Sequence, residues 1–234
     1  MTRHDQASLP MLARSRTEYR SGMNKSRSYK EGCPVSHALD LVGERWALLV
    51  VRELMLGPKR FSDLRDGLCG ASTNILTRRL RDLEEIGVLK RQRAGVPVST
   101  TVYELTEWGR SLEPVLFALG NWAVMSPFWD VQAPSTVDSL LLSLRSQAAV
   151  FFPGGMPVVG TCDMRVGLDR FLLRFDEAGL SIVRAAAPDT DARVVMDAAT
   201  LKSLVNRDET LDDAIAAGRV TLTGEERLIR TVLK

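Results

Sequence analysis

The segment CGASTNILTRRLRDLEEIGVLKRQRAGVPVSTTVYELT, residues 69–106, decides the fold of the first half of this chain. Gly70 supplies a turn and Ser72 an N-cap ahead of a helical run, the combination that starts a helix. Wound at about 100° per residue, positions 72–86 place Ile75, Leu76, Leu80, Leu83 and Ile86 on one face, with Asn74, Thr77, Arg78, Arg81 and Glu85 on the other. One side is expected to pack and the other to stay in water. Two strand-like runs follow around a Gly- and Pro-containing tip, which predicts a β-hairpin. Leu89, Arg91 and Arg93 share a face of its first strand, and Tyr103 and Leu105 in the second have core-facing character.

A helix that presents Ser72, Thr73, Asn74, Thr77, Arg78 and Arg81 from its first turns carries the groups needed to read a major groove, since Arg pairs with guanine and Asn with adenine. Lys90, Arg91 and Arg93 of the hairpin fall near the same surface, within reach of phosphates or a minor groove. A plainer reading competes. Arg78 and Arg81 can pair with Asp82, Glu84 or Glu85 on the helix surface, and a charged hairpin edge also guards against aggregation. Helix and hairpin taken together favour the first reading.

Upstream, helices are expected at residues 35–42, 44–55 and 61–67, with GPKR (57–60) separating the last two. The second is too densely apolar for a surface helix and is expected to centre this core. Residues 1–32 are rich in Ser, Arg and Lys without a period, and read as a flexible basic arm in which Met23 is a candidate start. Residues 33–125 form the first domain. The stretch SPFWDVQAP (126–134), with two prolines and bulky aromatics, reads as a linker. From residue 135 to 234 the pattern changes to a helix, short strands and more helices, a smaller α+β unit. The arm carries 7 basic and 3 acidic residues, the middle segment 12 and 11, and the remainder 12 and 15, so a polyanion is met by the front of the molecule.

No apolar run reaches the roughly 18 residues needed to cross a bilayer, and the first residues lack a secretory apolar block, so a cytoplasmic location without membrane contact is expected. Cys33, Cys69 and Cys162 are odd in number and widely spaced, which speaks against a disulfide framework and a zinc site. Only His4 and His37 are available as imidazoles, and His37 is expected on a packed helix. No catalytic triad or metal-ligand spacing is found, so no enzyme activity, cofactor or metal is expected. Asp212 and Asp213 read as a solvated face.

The run from CPVSHALDLVGERWALLVVRELMLGPKRFSDLRDGLCGASTNILTRRLRDLEEIGVLKRQ to YELTEWGRSLEPVLFALGNWA resembles the HxlR family of winged helix-turn-helix transcriptional regulators over about 90 residues. The resemblance implies an α+β chain that binds duplex DNA as a homodimer. The dimer would be built from the N-terminal helix and a helix at 107–125, with residues 72–87 as the reading helix and 90–102 as the wing. It also places Cys33, in the CPV motif, where some members carry a thiol that senses oxidants or electrophiles; packing at the dimer interface is the other role open to it. Such sensing needs a lowered pKa, for which only the arm's Arg and Lys stand nearby in sequence.

DARVVMDAATLKSLVNRDETLDDAIAAGRVTLTGEE resembles the later part of a sterol-carrier-type lipid-binding domain. Where that pattern has a small residue or glycine after the LKSLV helix, this chain has Asn206 and Arg207. The resemblance implies a hydrophobic tunnel for a small hydrophobic effector, lined by Leu141, Leu144, Phe171, Leu173, Ile182, Val195, Leu201, Leu204, Leu211 and Ile215. Each of these is otherwise an ordinary core residue. A second reading of the whole chain is a lipid carrier whose first half mediates protein contacts.

Overall fold

The structure is a computed structural model that describes residues 28–94 and 100–233. Most of the expected arm and the tip of the expected hairpin lie outside the described residues.

In the first half, α1 (Pro34–Val42), α2 (Ala47–Leu54), β1 (Lys59–Arg60), α3 (Phe61–Gly67) and α4 (Thr73–Glu85) precede β2 (Leu89–Ala94) and β3 (Thr100–Leu105). The strands form an antiparallel sheet in the order β1–β3–β2, with Leu89 opposite Leu105 and Arg91 opposite Tyr103. This is a winged helix-turn-helix. Val50, Val51 and Leu54 of α2 are fully buried in one core with Leu64, Leu76, Leu80, Leu83 and Leu105. Strand β1 falls inside the GPKR segment expected only as a separator. At two residues it is too short to carry a periodicity, and it exists because Lys59 and Arg60 pair with Tyr103 and Val102.

The single helix expected at 107–125 is two, α5 (Glu107–Arg110) and α6 (Glu113–Ala123). Pro114 lacks an N–H and fits only a first helical turn, so a new helix starts there. Thr106 fixes α5 to the root of the wing, since its hydroxyl donates to the Gly87 carbonyl at 2.7 Å and accepts from Gly109 N–H at 3.0 Å. A Cβ on Gly109 would lie 2.0 Å from the Val88 carbonyl oxygen, so no side chain fits there.

The second half begins with α7 (Val137–Phe151), capped by Thr136, and continues through β4 (Gly160–Val166), β5 (Asp169–Asp176), β6 (Gly179–Arg184) and β7 (Ala192–Met196). Then come α8 (Ala198–Asn206), α9 (Leu211–Ala216), β8 (Thr221–Gly224) and α10 (Glu226–Val232). The sheet order is β6–β5–β4–β7–β8, antiparallel except for the parallel β4–β7 pair. Strand β4 escaped the sequence reading because Asp163 and Arg165 interrupt its apolar run. Asp163 is nonetheless buried, accepting from Arg170 at 2.6 Å and Arg193 at 3.2 Å.

The ten residues expected around a tunnel are placed differently. Leu141, Phe171, Leu173, Ile182, Leu201 and Leu211 are packed solidly in the core. Val195 and Ile215 are only partly buried; the strand alternation of β7 turns Val194 inward instead. Leu144 and Leu204 border a cavity, which lies at the helix side of the sheet between α7, α8 and α10.

The two halves meet around buried charge. Lys59 Nζ donates to Glu53 Oε2 at 2.7 Å and to Asp138 Oδ2 at 2.8 Å, and Arg184 donates to the same Asp138 oxygen at 2.6 Å. Thr136 donates to Glu53 Oε1 at 2.9 Å, and the Arg184 amide donates to the Leu56 carbonyl at 2.6 Å. Burial pushes the Glu53 carboxyl up, but the charges of Lys59 and Arg52 overcome this and hold it below the usual carboxylate value. Arg145 adds a bond to Glu113 of α6 at 2.7 Å and one to the Leu180 carbonyl at 3.0 Å.

Removing Lys59 leaves Glu53 with Arg52 alone and Asp138 with Arg184 alone as cationic partners, a loss toward the lower end of the roughly 3–5 kcal/mol that breaking a buried pair costs. Lys59→Met should therefore lower the unfolding free energy by about that amount in urea titrations. A change within about 0.5 kcal/mol, as at a surface site, would mean that water already reaches Glu53 and Asp138.

Candidate nucleic-acid interface

Helix α4 is held by its greasy side. Leu76, Leu80 and Leu83 are buried, and the Ser72 hydroxyl accepts from Ile75 N–H at 3.3 Å to cap the helix. The opposite side is open: Asn74, Thr77, Arg78 and Arg81, with Asp82 and Glu85, line a shallow surface depression, and Ser72 and Thr73 are exposed at its start. Ile75 departs from the expected face, being 42% exposed at the head of the helix.

Arg79 takes the buried position instead. Its guanidinium reaches Glu44 at 3.3 Å and Asp82 at 3.0 Å, tying α4 to the loop before α2. Sequence winding passed over Arg79 because a charge on the packed side becomes legible only when its partner, 35 positions upstream, is in place.

The exposed cations are paired, though weakly. Arg81 meets Glu85 at 2.7 Å, Arg78 approaches Asp82 at 4.0 Å, Arg91 meets Glu84 at 2.8 Å and Lys90 reaches Glu104 at 3.5 Å. The Glu84 hydrogen bond and charge raise the Arg91 pKa above its ordinary value. The carboxylate pairing of these residues is thus visible in the geometry, and their exposure leaves them open to a further partner. Exposed pairs are worth about 0–1 kcal/mol, whereas a bidentate base contact is worth about 1–3 kcal/mol, so a duplex can take these side chains from their carboxylates. Arg93 has no ion-pair partner among the described residues. Asn74 and Thr77 make no side-chain hydrogen bond among the described residues.

Cys33 is the N-cap residue of α1 and is partly exposed. The backbone N–H of Ser36, then that of Val35, favours its thiolate and holds its pKa below the ordinary thiol value. The helix start does what the sequence reading assigned to the arm's cations. Cys162 is the opposite case: burial, aided by the Asp163 charge, pushes it up to about 12. His37, expected on a packed face, is exposed. Among the described residues no group of His, Cys, Asp and Glu could hold a metal ion, and no helix is long and apolar enough to cross a membrane.

An exposed polar helix beside a charged hairpin, on a helix-turn-helix core, defines the winged helix-turn-helix class. Residues 41–127 match the HxlR-like helix-turn-helix family. YdeP of Bacillus subtilis (strain 168), an HTH-type transcriptional regulator, is 37% identical over 101 residues, which are 43% of this chain and 79% of that protein. The HTH-type transcriptional regulator sll1512 of Synechocystis sp. is 42% identical over 87 residues, 37% of this chain; the match spans 64% of that relative's length. The reduced form of the transcriptional regulator YodB from B. subtilis is 32% identical, with a TM-score of 0.38, covering 43% of this chain and all of that one. The chain belongs to the HxlR-like helix-turn-helix family.

The cysteine geometry orders their reactivity. At neutral pH iodoacetamide should modify Cys33 ahead of Cys69, and Cys162 only after unfolding, as followed by peptide mass spectrometry. Equal labelling of Cys162 and Cys33 in the native protein contradicts the burial and the helix-start effect described above.

Proposed function

We propose that this protein is a sequence-specific DNA-binding transcriptional regulator that works as a homodimer and answers to a small hydrophobic effector. The observation that carries the reading is the outward polar stripe of α4, held in place by Leu76, Leu80 and Leu83 behind it. In this reading residues 33–125 bind the duplex and residues 135–234 are the effector unit. Ser72, Thr73, Asn74, Thr77, Arg78 and Arg81 enter a major groove, while Lys90, Arg91 and Arg93 hold the flanking backbone.

A second copy accounts for an apolar face that water alone would disfavour. Val35 and Leu39 on α1, and Val115, Leu119 and Trp122 on α6, are exposed, Trp122 to 75%. Several large apolar side chains exposed on two helices, as here, are the kind of surface that a protein contact covers. Two copies joined there would set two α4 helices for successive major grooves, about one helical turn apart. Cys33, at the start of α1, is then the thiol through which an oxidant or electrophile acts on that contact.

Fluorescence anisotropy on a duplex selected from a random library tests the DNA reading. Arg78→Ala and Arg81→Ala should each weaken the selected site by about 1–3 kcal/mol where they make bidentate contacts, with little effect on random DNA. Arg91→Ala and Arg93→Ala should weaken both alike and flatten the salt dependence. Equal losses on both duplexes for Arg78 and Arg81 remove them from base reading. No salt-sensitive duplex binding at all moves the chain to the lipid-carrier reading.

For the assembly, Trp122→Glu should turn a dimer into a folded monomer in light scattering behind size exclusion. An unchanged mass rules this face out as the contact.

A further inference from the structure

A cavity of about 260 Å3 lies between the last turns of α7 and α8 and the helix α10. Leu144, Ala148, Phe152, Leu204 and Val205 make it apolar, and Gln147, Arg207 and Thr231 stand at its polar part. A shallower depression shares Phe152 and Thr231 with it and extends to Arg227 and Arg230. Arg230 is matched by Asp212 at 2.7 Å and Glu226 at 3.0 Å. Arg207 and Arg227 have no carboxylate partner among the described residues; the Arg207 guanidinium rests 5.0 Å from the centroid of the Phe151 ring. The ends of α7 and α8 each bring about half a negative charge, which two full positive charges outweigh.

Arg207 is also held at φ 63°, ψ 32°, a left-handed conformation that glycine adopts freely and a larger side chain accepts only at a cost. This left-handed turn ends the helix, the Asp208 amide donating to the Ser203 carbonyl at 2.9 Å, and it leaves a cation among the residues that line the cavity. The volume equals about nine waters' share of the liquid and falls just under the ~300–1,000 Å3 of sites for drug-sized ligands. It suits a molecule of about ten non-hydrogen atoms rather than a sterol.

We propose that this cavity binds a small carboxylic acid with an apolar tail, the tail against Leu144, Ala148 and Leu204 and the carboxylate facing Arg207 and Arg227. This rests on the reading of the second half as an effector unit and names the effector's class. One wall is tied to the DNA-binding half and the other to the linker that follows it. Helix α7 carries Asp138 in its first turn, bound to Lys59. Helix α8 carries Lys202, whose ammonium donates to the carbonyls of Gln132 and Ala133 in the linker at 2.7 and 2.9 Å. A ligand that spreads α7 from α8 acts on both ties and so distinguishes the arrangements of the DNA-binding half.

Isothermal titration of the full chain with octanoate, and with 1-octanol as the uncharged control, tests the site without DNA. Octanoate should bind at least tenfold more tightly than octanol. Arg207→Gly should raise the melting temperature of the unliganded protein by relieving the left-handed strain, yet weaken octanoate at least fivefold; Arg227→Gln should weaken it similarly. Equal affinity for octanoate and octanol overturns the anion preference, and no heat with either overturns the site. Operator affinity with and without octanoate then separates the two readings. Octanoate that binds yet leaves operator affinity unchanged overturns the coupling through α7 and α8 while the site stands. A different hydrophobic ligand that shifts operator affinity while octanoate fails to bind leaves the effector reading intact and overturns this site.

Discussion

The way the two halves sit together rests on the cluster of buried Glu53, Lys59 and Asp138 with half-buried Arg184. Two carboxylates out of water would expel each other, and Lys59 lies between them at 2.7 and 2.8 Å. Because Lys59 belongs to β1, which pairs with β3, the cluster fixes the root of the hairpin as well as the helix that precedes the second half. Coulomb attraction is strong where the surroundings are dry, but so is the desolvation cost, and ion pairs of this kind add less to stability than to uniqueness of arrangement. An apolar seam would let the halves slide; charged partners accept one register.

Helix α4 is placed by the same economy of partners. Its leucines fill the first core, Arg79 locks it to Glu44, and the polar stripe is left over, with nothing in the folded chain to satisfy Asn74 and Thr77 among the described residues. The cations on it are matched by carboxylates one turn away, which keeps the surface near neutrality until a polyanion competes. A duplex offers many phosphates at once, and the release of counterions adds to each contact.

The second half brings a sheet, solidly packed against its helices, to the back of the DNA-binding half. Its apolar interior is filled by Phe171, Leu173, Leu201 and their neighbours, so the space left over sits where three helix ends fail to close on one another. Helix ends leave gaps because their side chains splay and their last carbonyls need room, and the arginines at this mouth also complement those carbonyls.

Much of the first half was legible in the residues themselves. Ser72 as N-cap, the leucine spacing of α4, the hairpin after it, and the outward Asn74, Thr77, Arg78 and Arg81 all follow from local periodicity and capping chemistry, which need no distant partner. Whatever depended on a distant partner was not legible. Strand β1 exists only against β3, the burial of Arg79 only against Glu44, the buried strand β4 only because Arg170 and Arg193 neutralise Asp163, and the Lys59 cluster only when residues 79 positions apart are brought together. The sequence by itself determined which faces are greasy and which are polar, because side-chain spacing along helices and strands is a local property. Tertiary structure alone decided which apolar residues fill a core and which border a cavity, because that depends on how far the chain folds back on itself.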